Sequence, residues 1–298
     1  MQILIIFVAF VIYNFYGYNF YLNSLKDDYN KDGFVVVPNL LDENELRILL
    51  DETIQIARGK RGLIDGLTIA DDGESDIDVL SKYLTLHFPH KVSQLINDNY
   101  IGHSKVVEIL TWLIGPNVKA VQSMLFIKKA SKPGQAWHQD ENFIPTRDRS
   151  LLGVWIALDD ATIENGCLWV IPGSHKDGIL YPTRPHNSTE FDHTPELYLT
   201  PYEGENGIAV EVKKGTAIFF NGYLHHRSLK NRAPEGNFRR ALVNHYMSAE
   251  SLLPWNLDGK IEMKRDFRDI ILVSGVDPYQ HEGIEDITKP FLRKETAH

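Results

Sequence analysis

The chain has 298 residues, 43% of them hydrophobic and 11% aromatic, enough to fill the core of one large domain. A formal charge of −9, with no run of lysine or arginine longer than two residues, withholds the basic surface that nucleic acid requires and sets that partner aside. The single cysteine, Cys167, excludes an intramolecular disulfide, so the fold draws nothing from an oxidising compartment.

No charged residue precedes Lys26, and Ile3 to Tyr13 is almost wholly apolar. Extended to Leu22, the stretch reaches about the 20 residues that cross a hydrocarbon core. Asn14, Gly17, Asn19 and the tyrosines give its second half an interfacial character. Residues 1–25 are therefore read as a hydrophobic segment that associates with membranes through residues 3–22, as a signal, or as a tail that packs on the domain or is absent from the mature protein; without a membrane role the protein is expected in the cytoplasm. A cleaved signal fits less well, because the basic n-region and an A-x-A-like site are missing. The sequon Asn187-Ser188-Thr189 has meaning only in a secretory lumen.

From Tyr29 the chain reads as one globular unit, residues 27–285, with a C-terminal tail over 286–298. No linker, repeat or long charge block divides it. "DGFVVVPNLL" is a β-branched run ended by Pro38-Asn39. Leu46, Leu49, Leu50, Ile54 and Ala57 then recur at helical spacing, with Asp42 and Glu45 as a capping box and Gly59 as a stop. A second helix is expected from Ser104 to Ile114. From Ala120 the texture changes to short apolar runs separated by turn residues: "AVQSMLFI", "LLGVWIAL", "GCLWVIPG", "GIAVEV", "TAIFFNG" and "RRALVNHYM". These read as strands of an antiparallel sandwich or small barrel, mainly β, with the helices covering one sheet. Residues 177–206 interrupt the rhythm, and a loop of that length suggests a functional lid.

The chemistry begins at "AWHQDENF". Residues two apart on a strand share a face, so His138 and Asp140 can offer an imidazole nitrogen and a carboxylate oxygen to one ion while Gln139 faces away. Two histidines and one carboxylate on one face of an octahedron leave three positions open, the arrangement of non-haem iron(II) oxygenases. H-x-D alone is weak, since such triplets arise by chance. "FFNGYLHHRSLKN" supplies two adjacent candidates for the third ligand, His225 and His226, and alternation does not choose between them across Asn221-Gly222. In "NFRRAL", Arg239 or Arg240 could grip a carboxylate with two parallel hydrogen bonds.

These residues carry a resemblance. "WHQDENF…LLGVWIALDDATIENGCLWVIPGSHKDG…LHHRSLKN…FRRAL" resembles the phytanoyl-CoA dioxygenase (PhyH) family of iron(II)- and 2-oxoglutarate-dependent oxygenases, and within it the domain-containing proteins. The likeness runs from about Asp27 to Ala249 and is most specific over Val121 to Gly178. It implies a double-stranded β-helix, a cupin-like jelly roll, with flanking helices.

The resemblance also implies roles. His138, Asp140 and His226 become the iron ligands, with His225 a bystander. Arg239 becomes the residue that binds the 2-oxoglutarate carboxylate, Ser228 a hydroxyl that helps to hold it, and Met124 and Trp155 walls of the cosubstrate pocket. Lys91 in "FPHKVS" matches an upstream lysine that reaches 2-oxoglutarate. Iron(II) with two neutral imidazoles and one carboxylate carries about +1; dianionic 2-oxoglutarate brings the site to about −1, which one buried arginine offsets. With O2 as co-reactant, the expected activity is hydroxylation of a small organic substrate, with a lipid or acyl compound favoured if the anchor operates, and release of succinate and CO2. Asp140 stands where related halogenases carry a small residue, which favours hydroxylation. Two other readings are a non-catalytic 2-oxoglutarate or iron-binding module at a membrane, and a cupin-type metal enzyme of different chemistry. Substrate identity and oligomeric state are not legible.

Overall fold

Turn residues cut the second half of the chain into short strands, and their alternation sorts the side chains between two interiors. The computed structural model describes residues 17, 19–252 and 266–294. A helix, α1, covers residues 19–32 and leads into β1 (Phe34–Val37). Next comes α2 (Glu43–Ala57), whose capping box is complete: the Asp42 carboxylate accepts from the backbone of Asn44 and Glu45, and the Glu45 side chain accepts from the backbone of Asp42. There follow α3 (Asp76–Ser81), β2 (Thr85–His87), the short α4 (Gln94–Ile96) and α5 (Ser104–Ile114).

The main strands are β3 (Val118–Lys129), β4 (Gln135–His138), β5 (Leu152–Ala157), β6 (Leu168–Val170), β9 (Ile208–Val210), β10 (Ala217–Asn221), β11 (His226–Ser228) and β12 (Phe238–Ser248). A short hairpin, β7 (Thr183–Arg184) with β8 (Glu196–Leu197), lies inside the segment read as a lid. β13 (Ile271–Ser274) and β14 (Phe291–Arg293) complete the set. The major sheet runs β1-β10-β5-β12-β3-β2-β14, with β13 also paired to β3, and the minor sheet runs β4-β11-β6-β9. All these ladders are antiparallel.

β5 shows how the layers form. Leu152, Val154 and Ile156 pack with Leu49, Ile56 and Leu110 of the helices, whereas Trp155 and Ala157 pack with Leu168 and Val170 of the minor sheet. The major sheet is thus covered by helices on one side and by the minor sheet on the other, the two-sheet jelly roll expected for a double-stranded β-helix. The site lies between the sheets.

Both ends of the chain depart from the expected boundaries. Leu22, Leu25 and Tyr29 on α1 are buried in the helical core, so the domain begins before residue 25. The apolar run through Tyr13 lies outside the described residues, and among those described no helix is long and apolar enough to cross a membrane. The segment read as a tail from 286 contributes β14, which pairs with β2 at the sheet edge. Lys119, fully buried, ties this C-terminal part to β3 by donating to Asp266 at 2.7 Å and to Asp277 at 3.2 Å. Turn composition alone hid these pairings, because their partners are far away in sequence.

Candidate metal centre and active site

β4 stops at His138, Gln139 stays extended (φ −122°, ψ 128°), and Asp140 opens a 3-10 turn. One extended step is enough to point His138 and Asp140 the same way. Gln139 faces the other way, donating to the carbonyls of Ile179 and Tyr223, both at 2.9 Å. β11 pairs with β4 so that His226 sits directly opposite His138. The close approach of the two strands relies on Gly134, where a Cβ would lie 1.8 Å from the Ser228 carbonyl oxygen.

His138 Nε2 and His226 Nε2 lie 3.6 Å and 3.5 Å from Asp140 Oδ1, and one ligand atom from each residue falls within 4.8 Å of the others. Nδ1 of His138 donates to the Ala136 carbonyl at 2.8 Å, and Nδ1 of His226 to that of Leu224 at 3.0 Å. A carbonyl only accepts, so the proton is on Nδ1 and the Nε2 lone pair is available to a metal. Burial, reinforced by neighbouring His138, pushes His226 down to about 4, which keeps that imidazole neutral. Burial pushes Asp140 upward, but His226, His245 and His138 outweigh it and hold the carboxylate well below its usual range. Two neutral nitrogens and one anionic oxygen, all buried, fit a divalent transition metal.

His225 is the bystander. Its backbone N–H donates to Ser174 Oγ at 2.9 Å, and its ring packs edge-on against Tyr181 and Tyr202 at 5.3 Å and 5.0 Å between centroids.

The two arginines separate just as clearly. Arg240 points outward and makes a bidentate pair with Asp159, Nε at 2.8 Å and Nη2 at 2.6 Å. Arg239 is 2% exposed and lines the cavity that holds the three candidate ligands. It donates to the Gly166 carbonyl at 3.0 Å and lies 5.6 Å from the Trp155 ring. Burial draws it down to about 10, so the guanidinium is still charged near neutrality. Ser228, Met124 and Trp155 line the same cavity.

Lys91 is placed differently from its sequence-based expectation. Its ammonium donates to Asp286 and, at 2.7 Å, to the Thr288 carbonyl, and Lys91 itself does not line the cavity. It fastens the strap that carries Ile287, Thr288 and Phe291 into the cavity wall. Phe291 in turn stacks on His87, with centroids 4.1 Å apart.

The cavity has a volume of about 710 Å³. Its walls include Phe88, Phe126, Phe143, Ile144, Ile287 and Phe291, and His193 to Pro195 of the lid segment reach it. Sequence reasoning missed two of its groups and a third behind its wall. His245 donates through Nε2 to Asp140 Oδ2 at 2.8 Å. Lys128 is buried beside Arg239 and Ser228. Arg268 donates to Gln122 Oε1. A signal existed for two of them: Arg239, Val243 and His245 fall on one face of β12, as Gln122, Met124, Phe126 and Lys128 do on β3. Arg268 follows no such pattern.

Comparison with known proteins agrees with the architecture. A phytanoyl-CoA dioxygenase 1 of Oryza sativa subsp. japonica is 27% identical over 274 residues, covering 81% of this chain and 95% of that protein. A phytanoyl-CoA dioxygenase domain-containing protein 1 of Danio rerio is 34% identical over 164 residues, covering 51% of this chain and 53% of its own length. Among solved structures, the α-ketoglutarate-dependent carbocyclase SnoK from nogalamycin biosynthesis superposes with a TM-score of 0.62 at 21% identity, over 84% of this chain and 96% of that one. The epimerase SnoN, crystallised with Fe3+, α-ketoglutarate and nogalamycin RO, gives 0.61 at 19% identity, over 83% and 94%. At such identities the likeness shows the fold, a cupin-like double-stranded β-helix. The phytanoyl-CoA dioxygenase (PhyH) family model matches residues 29–241, and the chain belongs to that family.

Proposed function

We propose that this protein is an iron(II)- and 2-oxoglutarate-dependent dioxygenase that hydroxylates a small organic substrate and releases succinate and CO2. The observation that carries the reading is the convergence of His138 Nε2, Asp140 Oδ1 and His226 Nε2, each imidazole locked in the ligating tautomer by the backbone carbonyl two residues before it. Held there, iron(II) supplies oxygen activation coupled to oxidative decarboxylation of 2-oxoglutarate.

The chain's own residues do the rest. Arg239 faces the cavity with a guanidinium suited to a carboxylate, and Ser228 adds a hydroxyl beside it. Met124 and Trp155 wall the cosubstrate and exclude water from it. Asp140 keeps a carboxylate in the third ligand position, which favours oxygen transfer to carbon over halogenation. Apolar walls fit a substrate with a hydrocarbon body, of which a lipid or acyl compound is one class.

The test is anaerobic titration of the apoprotein with iron(II) and 2-oxoglutarate, followed by succinate measurement on admission of air and a metabolite screen for gain of one oxygen. A charge-transfer band with no succinate across the screen would instead favour a non-catalytic binding module. Turnover that persists without 2-oxoglutarate would move the protein to another metal chemistry.

A further inference from the structure

Ser228 Oγ accepts more hydrogen bonds than a side-chain hydroxyl usually does. Lys128 Nζ approaches it at 3.0 Å, the Gln135 backbone N–H at 3.3 Å and Arg239 Nη2 at 3.5 Å. A hydroxyl oxygen has two lone pairs, which Lys128 and Gln135 fill, and a single proton. That proton meets no acceptor among the described residues, although Ser228 is 4% exposed. A buried donor left unmade is costly, so the geometry calls for an acceptor brought into the cavity.

Lys128 itself is built in. Its other donors go to the Leu229 carbonyl at 2.6 Å and the Gly166 carbonyl at 3.3 Å, so three protein acceptors use its three N–H bonds and none remains for a ligand. Gly166 has φ +81°, and a Cβ there would come within 2.9 Å of Lys128 Nζ, so the turn before β6 is shaped around the ammonium. Arg239 Nε shares the Gly166 carbonyl at 3.0 Å. Burial, together with the neighbouring Arg239, lowers Lys128 well below the ordinary lysine value. No carboxylate hydrogen-bonds to Lys128 among the described residues, and its side chain stands behind the cavity wall next to Arg239, which lines the cavity.

We infer that Lys128 is a positioning residue which saturates the Ser228 oxygen and thereby aims the Ser228 hydroxyl proton at the distal carboxylate of 2-oxoglutarate. The inference rests on the proposed function, in which Arg239 and Ser228 hold that carboxylate. Lys128 acts through Ser228 and touches no reacting atom. Its effect therefore appears in cosubstrate binding and vanishes once the hydroxyl is gone.

A double-mutant cycle reads this directly. Binding of N-oxalylglycine, a non-reacting analogue of the cosubstrate, is measured by calorimetry on protein loaded with nickel(II), in wild type, Lys128→Met, Ser228→Ala and the double variant. Lys128→Met is expected to weaken binding about tenfold, the scale of one charge-assisted hydrogen bond. In the Ser228→Ala background the same change is expected to cost less than about twofold, with nickel(II) affinity unaltered throughout. Unchanged binding in Lys128→Met, an equal loss in both backgrounds, or a parallel loss of nickel(II) affinity each overturns the inference. If Lys128→Met does not fold, Lys128→Leu, which likewise has no donor, carries the same cycle under the same criteria. Failure of the wild type to bind the analogue at all would instead remove the proposed function.

Discussion

His245 Nε2 lies 2.8 Å from Asp140 Oδ2, while Oδ1 of the same carboxylate faces the two imidazoles of His138 and His226. One oxygen is thus committed to a protein donor and the other is turned toward the candidate metal. β12 is irregular at this point, its register against β3 shifting between His245 and Tyr246. Such a shift re-aims a side chain beside a site. His245→Phe should weaken iron(II) or cobalt(II) binding about 10- to 100-fold, the usual effect of losing a partner that orients a ligand. His245→Asn, which keeps an N–H donor, should recover part of that loss. Metal titration followed by fluorescence or calorimetry checks both. Equal affinity in wild type and His245→Phe would show that Asp140 is oriented by other means.

Arg239 and Arg240 are neighbours in sequence with opposite duties. Arg239→Ala should raise the 2-oxoglutarate concentration needed for half-maximal succinate release at least tenfold, on the scale of a charge-assisted pair, with little change in the iron requirement. Arg240→Ala breaks the bidentate contact with Asp159 on the outer face, a partly exposed pair. It should cost about 1 kcal/mol of stability or less and leave cosubstrate dependence alone. If Arg240→Ala raised that dependence instead, the carboxylate-binding role would transfer to it.

Lys91 separates the family-based expectation from the observed geometry. Its ammonium holds Asp286 and Thr288 of the strap, so Lys91→Met should leave the 2-oxoglutarate dependence unchanged. The strap should loosen. Faster hydrogen exchange or proteolysis over residues 284–293, with an altered response to substrate, is the expected signature. A rise in the 2-oxoglutarate requirement without any change in strap protection would restore the direct role.

Much of this was legible because the interior alternates. The strand runs from Ala120 onward, both ends of α5 and the capping box of Asp42 and Glu45 follow from local pattern alone. His138 and Asp140 share a face for the same local reason. The choice between His225 and His226 was not local: Asn221 and Gly222 break the alternation before β11, and only pairing with β4 fixes which imidazole faces His138. His245 and Lys128 were readable in principle, since each continues a face already marked by Arg239 or Met124. That shared face places them but does not assign a role, which only their partners Asp140 and Ser228 reveal. The strap and Arg268 lie more than a hundred residues from the groups they meet, and no short-range rule reaches them.

His87 offers a pH test of the strap. Burial, with Arg293 and Arg268 adding repulsion, draws its pKa down to about 3, so it stacks on Phe291 as the neutral ring. The folded value lies below the ordinary 6.5. Its contribution to stability is therefore complete above that ordinary value and is lost progressively as the pH falls from there toward the folded value. The β2–β14 edge should lose protection on acidification through that window, ahead of β3 and β12. His87→Phe keeps a flat ring against Phe291 and removes the titration, so exchange at the backbone of Phe291 to Arg293 should become nearly independent of pH between about 6.5 and 4.5 once intrinsic rates are divided out. Identical pH dependence in wild type and variant would assign the acid sensitivity of this edge to another group, with the Arg293–Asp192 ion pair the next to examine.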